Sequence, residues 1–361
     1  MSDPRYTVEK LSLALEEHVV SKQTVLPPLR SEEQLMAQMT APTPEVCAAV
    51  QALDGDIMVL GVAGKMGPTL AELLVRAGAK RVIGVSRFSS PESRRYLDSV
   101  GVETVACDLL DDASVAKLPD APYLYLLAGF KFGSSGAPSL NWAMNTLVPA
   151  KLMERFPNSR MVYVSSGNVY RFMPVDGSGA DEDAPLGPVG EYAESRLGGE
   201  RLVEYYAEKN STPTLIVRLF YATELRYGII LDIATKVNDR TPIDLSMGYA
   251  NQIWQGDACD MLARSFPLCA SPADVINLTG TETLSVQAVA EALGERLDVA
   301  PIFTGKPEPT ALLGDATRYV ETFGAPRVPA EQIIDWVATW VKHEGATLGK
   351  PTKYESRTGD F

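Results

Sequence analysis

Histidine is almost absent from this chain. Its 361 residues include only His18 and His343, each near a chain end and neither within a metal-ligand or catalytic-triad motif. The four cysteines, Cys47, Cys107, Cys259 and Cys269, are widely spaced and fit no zinc or redox pattern. A zinc site and a Ser-His-Asp triad are therefore set aside, and acid–base chemistry falls to tyrosine, lysine, arginine or carboxylates. Positive charge is also scarce: 33 Lys and Arg against 46 Asp and Glu give a formal net charge of −13. That is the wrong sign for a nucleic-acid partner, and no local block of basic residues reverses it. No apolar run approaches the ~20 residues needed to span a bilayer. The first residues lack the basic segment and apolar core of a secretion signal. The expectation is a cytoplasmic protein with neither nucleic acid nor membrane as partner.

What the chain does contain is alternation. Its 45% hydrophobic and 22% charged content suits a globular protein long enough for one large domain or two coupled ones. Short apolar segments at 56–61, 81–86, 103–108, 123–129, 161–165, 214–219 and 275–279 read as strands. Amphipathic stretches at 68–77, 91–100, 141–156 and 191–210 read as helices between them. Apolar strands alternating with helices predict an α/β fold, a doubly wound parallel sheet covered on both faces. Residues 1–54 form an extension, with one helix expected around 8–20 and another at 43–53, where Thr43 caps and Pro44 takes the first position. Packing against the core is its favoured role, ahead of a dimer arm or active-site cover. Residues 55–220, completed by about 251–280, are assigned to the sheet domain. Residues 221–250 and 281–361 are assigned to a smaller substrate lobe and tail.

The stretch Gly61–Val62–Ala63–Gly64–Lys65–Met66–Gly67 lies between the first strand and the first sheet helix. One glycine relaxes the tight turn, the second admits backbone to a diphosphate, and the third lets helix and strand pack closely. The helix that follows turns unpaired N–H groups toward the anion. This predicts a dinucleotide site over Gly61, Gly64, Lys65, Met66 and Gly67. The next strand ends in Ser86 and Arg87 with no carboxylate for a ribose. A cation and a hydroxyl suit a 2′-phosphate, so NADP(H) is favoured and NAD(H) is not excluded.

Further motifs follow in order: Asp108–Leu109 after the third strand, Ala128–Gly129 after the fourth, Asn145 in the next helix, and Ser165–Ser166–Gly167–Asn168–Val169–Tyr170 after the fifth. Tyr192–Ala193–Glu194–Ser195–Arg196 then matches Y-x-x-x-K with arginine for lysine, and Asp315 to Arg318 precedes Phe323–Gly324–Ala325–Pro326. With the glycine loop, this series resembles the extended short-chain dehydrogenases/reductases, the family of NAD-dependent epimerases and dehydratases, over roughly 56–340. The resemblance implies a Rossmann fold with a smaller C-terminal substrate lobe. It implies cofactor contacts at Asp108, Leu109, Ala128, Gly129, Asn145, Tyr192 and Arg196. It further implies Tyr192 as acid/base, Ser166 orienting the substrate oxygen, and a cation that lowers the tyrosine pKa and holds the nicotinamide ribose. Arg196 sits one helical turn from Tyr192 and supplies charge, but its planar fork is larger than lysine's ammonium. A homodimer through the helices at 141–156 and 191–210 is implied as well.

Departures from the family pattern narrow the substrate. Gly167 and Asn168 stand where the sugar dehydratases carry Asp–Glu. Tyr221 follows Arg218–Leu219–Phe220 where nucleotide-sugar members carry asparagine, and 249–257 offers no arginine for a substrate diphosphate. The expectation is an NAD(P)-dependent oxidoreductase or epimerase acting on a hydroxyl/carbonyl group of a small sugar-like or sugar-acid substrate. Nucleotide-sugar epimerase and catalytically silent dinucleotide-binding regulatory protein are the alternatives. Lys131, Arg226 and Tyr227 are candidate substrate contacts, with an ordinary surface role as the favoured reading of each.

Overall fold

The computed structural model describes residues 26–131 and 136–360. The helix expected around 8–20 lies outside the described residues. A seven-stranded sheet organises the rest. Its strands are β1 (Ile57–Leu60), β2 (Val82–Ser86), β3 (Glu103–Ala106), β4 (Tyr123–Leu126), β5 (Arg160–Ser166), β6 (Thr214–Leu219) and β7 (Asp274–Leu278). Their spatial order is β7-β6-β5-β4-β1-β2-β3, and every pairing is parallel. The winding reverses between β1 and β4, where Leu60 lies between Val85 and Leu126. At that reversal the carboxyl ends of neighbouring strands lead into loops that part, leaving a crevice.

Pleating explains why these strands are apolar on both sides. Ile57 and Val59 pack with Leu70, Leu73 and Leu74 of α3 (Gly67–Arg76), while Met58 and Leu60 pack with Leu152 and Met153 on the opposite face. The extension contributes α1 (Glu32–Met39) and α2 (Pro44–Gln51). Thr43 caps α2 by accepting from the Val46 N–H, and Pro44 sits at its start. Leu35, Met39, Val46 and Val50 are all buried. These two helices therefore pack onto the core, α1 against α3 and both against α10 (Gln255–Arg264).

After β2 comes α4 (Pro91–Ser99), and after β3 the short α5 (Asp112–Ala116). The helix expected over 141–156 forms, with a wider turn in its middle. It consists of α6 (Pro138–Trp142), a π-helical turn at Ala143–Leu147, and α7 (Val148–Arg155). Pro149 lacks an N–H for the preceding turn, so a wider turn ahead of it resolves the conflict. Asn145 lies in that wide turn. The helix α8 (Gly190–Asn210) follows β5 and carries Tyr192 in its first turn.

Beyond β6 the chain builds a second lobe from α9 (Ile229–Asn238), α11 (Val286–Leu297) and α13 (Ala330–Lys342). Ile230, Ile233, Leu293, Ile333 and Val337 share its core with Leu35 and Met39 of α1. Strand β7 returns to the main sheet in the middle of this lobe. Residues 350–360 run back across it, held by Thr352 donating to Asp232 (2.5 Å), by the Lys236–Glu355 ion pair (2.7 Å), and by Arg357 donating to the Thr310 carbonyl (2.8 Å). Among the described residues no helix is long and apolar enough to cross a membrane, and no cluster of metal-ligating side chains occurs.

Candidate active site

The glycine loop joins β1 to α3 at the reversal of the sheet. Gly61 adopts φ +89°, and a Cβ there would stand 2.6 Å from the Ala128 nitrogen. A Cβ on Gly67 would stand 2.2 Å from the Val62 carbonyl oxygen. Gly64 differs: it is exposed, and its Cβ would meet only the Gly61 carbonyl oxygen at 3.1 Å. The outer two glycines thus shape the backbone, and the middle one leaves an open approach. No side chain caps the amino end of α3, so its first N–H groups face the loop unpaired by a cap. An open glycine, an uncapped helix start and Lys65 form a cradle whose chemistry fits a diphosphate.

The crest of the sheet lines the rest of this crevice. Ser86 ends β2, and Arg87 beyond it is exposed, making no side-chain hydrogen bond or ion pair among the described residues. Asp108 is exposed and accepts from the Leu110 N–H at 3.0 Å, while Leu109 is buried. Ala128 is buried against Gly61, and Gly129 is exposed. Asn145 pins the backbone after β4: its Oδ1 accepts from the Phe130 N–H (2.8 Å), and its Nδ2 donates to the Phe130 carbonyl (3.0 Å). Nδ2 also donates to Ser195 Oγ (3.0 Å), and Ser195 donates to the Tyr192 carbonyl (2.8 Å). The wide helical turn thereby fixes the start of α8 relative to the crevice.

Ser166 is buried at the carboxyl end of β5; its Oγ donates to Asn168 Oδ1 (3.1 Å) and accepts from the Asn168 N–H (3.2 Å). Tyr192 is half-buried one segment later. Arg196 lies on the sheet-facing side of α8. It donates to the Val164 carbonyl, and its guanidinium carbon stands 5.1 Å from the Tyr163 ring centre. A Cβ on Gly129 would be 2.8 Å from its Nη1, so Arg196 reaches the underside of the crevice at Gly129. Its Nε is buried with no hydrogen-bond partner. Tyr163 beneath it is pushed up to about 12 by burial, which the Arg196 charge opposes.

A different cation accompanies the Tyr192 ring. Lys131 Nζ lies 5.6 Å from the centre of that ring and 5.8 Å from the centre of Tyr221. Burial, with Lys353 adding repulsion, pulls the Lys131 ammonium down to about 8, and Asp232 partly opposes this. The surface role favoured for Lys131 and Tyr227 is corrected here: Lys131 is half-buried and Tyr227 is buried. The available signal was position, since Lys131 lies just past the carboxyl end of a central strand, where the crevice must open. Arg226 is tied to Glu224 (3.2 Å) and Glu32 (2.7 Å), which occupies its charge within the protein.

Beneath the site runs a buried polar chain. Glu200 takes Arg218 Nη2 at 2.9 Å and the Ser165 hydroxyl at 2.5 Å, and Arg218 also donates to the Tyr170 hydroxyl at 2.8 Å. This anchors β5, β6 and α8 to one another below the reactive end. Two spaces adjoin the site. A cavity of about 770 Å³ lies on the helix side of the glycine loop, bounded by Gly64, Lys65, Thr69, Tyr96, Met36 and Tyr227. A pocket of about 10 Å³ lies among Asn168, Tyr221, Met247, Ser356 and Gly359, where residues 350–360 close its outer side.

Comparison with known proteins agrees with this arrangement. The profile of the family described as "NAD dependent epimerase/dehydratase family" matches residues 57–223. No curated protein matches the sequence. Among solved structures, the UDP-glucuronic acid 4-epimerase of Bacillus cereus in complex with NAD is 19% identical with a TM-score of 0.68, covering 80% of this chain and 96% of its own. The UDP-glucose 4-epimerase of Thermus thermophilus in complex with NAD is 19% identical with a TM-score of 0.66, covering 81% of this chain and 100% of its own. The parallel sheet, the glycine cradle and the family match coincide on one segment, and residues 57–223 are similar to the NAD-dependent epimerase/dehydratase family.

Proposed function

We propose that the chain is a nicotinamide-dinucleotide-dependent oxidoreductase or epimerase that acts on a hydroxyl/carbonyl group of a small sugar-like or sugar-acid compound. The observation that carries this reading is the glycine cradle at the sheet reversal, packed on Ala128, with Arg196 reaching Gly129 next to it and Lys131 beside the Tyr192 ring. Gly61, Gly64, Lys65, Met66 and Gly67 would hold the diphosphate. Ser86, Arg87, Asp108 and Leu109 would take the adenosine end, and Ala128, Gly129, Asn145 and Arg196 the nicotinamide end. The dinucleotide, once bound, supplies the acceptor or donor for hydride. The chain's own part is proton handling: Tyr192 exchanges a proton with the substrate hydroxyl, and Ser166 orients that oxygen. The cationic duty divides in two. Arg196, fixed under Gly129, serves the cofactor side, and Lys131 serves the Tyr192 side.

Ser86 and Arg87 favour NADP(H), whereas the two relatives named above hold NAD. Fluorescence titration with NADPH and NADH decides between them, and tighter NADH binding refutes the role given to Arg87. Substrate class is supported by what 249–257 does with its polar residues. Asn251 is spent on the Gly314 backbone, donating to its carbonyl and accepting from its N–H at 3.0 Å each. This stretch brings no arginine to clamp a diphosphate. The relatives' names favour a second reading, a UDP-sugar 4-epimerase. Incubation with NAD+ or NADP+ and a panel of sugars, sugar acids and UDP-sugars tests both. Growth of the reduced-nicotinamide absorbance identifies a dehydrogenase, isomer interconversion without it an epimerase. Neither, with dinucleotide bound, leaves a silent binding protein. Arg196→Lys adds a check: a sharp rise in turnover would mean that arginine is a handicap at this position.

We also propose a homodimer through α6, α7 and α8. Leu140, Trp142, Leu147 and Tyr205 are exposed apolar side chains on these segments. Sedimentation as a monomer at micromolar concentration refutes it.

A further inference from the structure

Lys65 belongs to the glycine loop, yet its side chain leaves the loop. Its Nζ donates to the Ala222 carbonyl in the strand Tyr221–Thr223 and stands 3.9 Å from the centre of the Tyr227 ring. One side chain thus ties the loop of the sheet domain to the first turn of the second lobe. Its base sits between the open Gly64 and the uncapped start of α3, where an anion fits. Among the described residues the ammonium forms no ion pair with a carboxylate. Glu224 is the acid that most favours its charge, but Glu224 is bound by Arg226 at 3.2 Å. Cys259 of α10 adds a smaller pull, and Asp232 of α9, which already accepts from Thr352, adds the least. Lys131 opposes them with like charge. Burial outweighs all of these and pulls Lys65 down to about 7.

We propose that Lys65 is a proton-coupled latch: the diphosphate of an incoming dinucleotide draws its Nζ from the Ala222 carbonyl and the Tyr227 ring, and Lys65 takes up one solvent proton to pair with it. This rests on the dinucleotide reading above. The move needs only rotation about the flexible lysine stem, and the phosphate charge removes the reason for the amine to stay neutral. A proton is gained from the buffer and no other bond is made or broken.

Calorimetry of NADH and NADPH binding in phosphate and in Tris, buffers of different ionisation enthalpy, tests the latch. At pH 8 a group titrating at about 7 is mostly neutral when free, so uptake approaches one proton per dinucleotide. At pH 6 the group is already protonated and uptake falls to about a tenth of a proton. Lys65→Met should weaken binding ten-fold or more and abolish the buffer dependence. Lys65→Arg, permanently charged, should bind without uptake, which separates the latch from a folding defect. Dinucleotide binding with no uptake in the wild-type chain, or uptake that survives in Lys65→Met, overturns the latch alone. No binding heat in any variant overturns the dinucleotide reading with it.

Discussion

Gly64 and Gly67 separate binding from folding, because the same methyl group meets different surroundings three residues apart. In Gly67→Ala the new Cβ falls 2.2 Å from the Val62 carbonyl oxygen and 2.6 Å from its carbonyl carbon and Cα. All three are backbone atoms, so no side chain can turn aside. Relief requires α3 to lift from β1, loosening Leu70 and Leu74 from Ile57 and Val59. Overpacking of this kind costs about 1–3 kcal/mol. With 361 residues and about 2 cal/mol/K of unfolding entropy per residue, that is roughly 1–4 °C in Tm. In Gly64→Ala the Cβ has only the Gly61 carbonyl oxygen at 3.1 Å, a few tenths of an ångström from comfort. Its Tm should stay within about 1 °C. Its methyl, however, stands where a diphosphate must meet backbone N–H groups, so NADH and NADPH binding should weaken at least ten-fold. Thermal melts and fluorescence titrations of both variants read the two quantities separately. A Gly64→Ala protein that binds like wild type, or a Gly67→Ala protein with an unchanged Tm, refutes the roles assigned to these glycines.

Other outcomes follow from the same packing and charges. Glu200→Gln leaves the Arg218 guanidinium buried without its counter-ion and should cost about 3–5 kcal/mol, read as a lower urea midpoint; a shift under about 1 kcal/mol contradicts the buried pair. Lys65 and Lys131, at about 7 and about 8 when folded, carry fewer protons than the unfolded chain up to the ordinary lysine range near ~10.4. The unfolded state therefore binds more protons across that window, and stability should rise with pH from about 7 to 10. Lys65→Met and Lys131→Met should each flatten the rise in urea midpoint, and an identical slope in both variants and wild type argues against depressed lysines. In Gly359→Val a Cβ would fall 2.1 Å from the Val189 carbonyl oxygen. Amide exchange over 350–360 should quicken while the Tm of the whole changes little; unchanged exchange would mean that this segment is held elsewhere.

The strand positions and the glycine loop were legible because both depend on local chemistry. Ile57–Leu60 and Thr214–Leu219 are apolar runs that only a sheet covered on both faces can bury. Thr43 and Pro44 start a helix by hydrogen bonding and fixed φ within one turn, and the chain forms that helix there. The glycine spacing announces a turn, an approach and a tight packing before any contact is known. The helix expected over 141–156 forms, but the wider turn in its middle was not legible, because the pitch there is settled by Pro149 together with partners far away in sequence, the Phe130 backbone and Ser195.

Charge placement was decided by tertiary structure alone. Spacing put Arg196 on the same helical face as Tyr192, but it could not show that Val164 and Tyr163 draw the guanidinium beneath the sheet end. Nor could it show that Lys131, sixty-one residues upstream of Tyr192, brings its ammonium to that ring. The sequence by itself determined where backbone bends and which faces are apolar, since those follow from neighbours within a turn or a strand. Which cation stands beside which hydroxyl, and how much water it keeps, depends on segments meeting at the crevice. Burial acts through that three-dimensional surrounding, and no spacing along the chain encodes it.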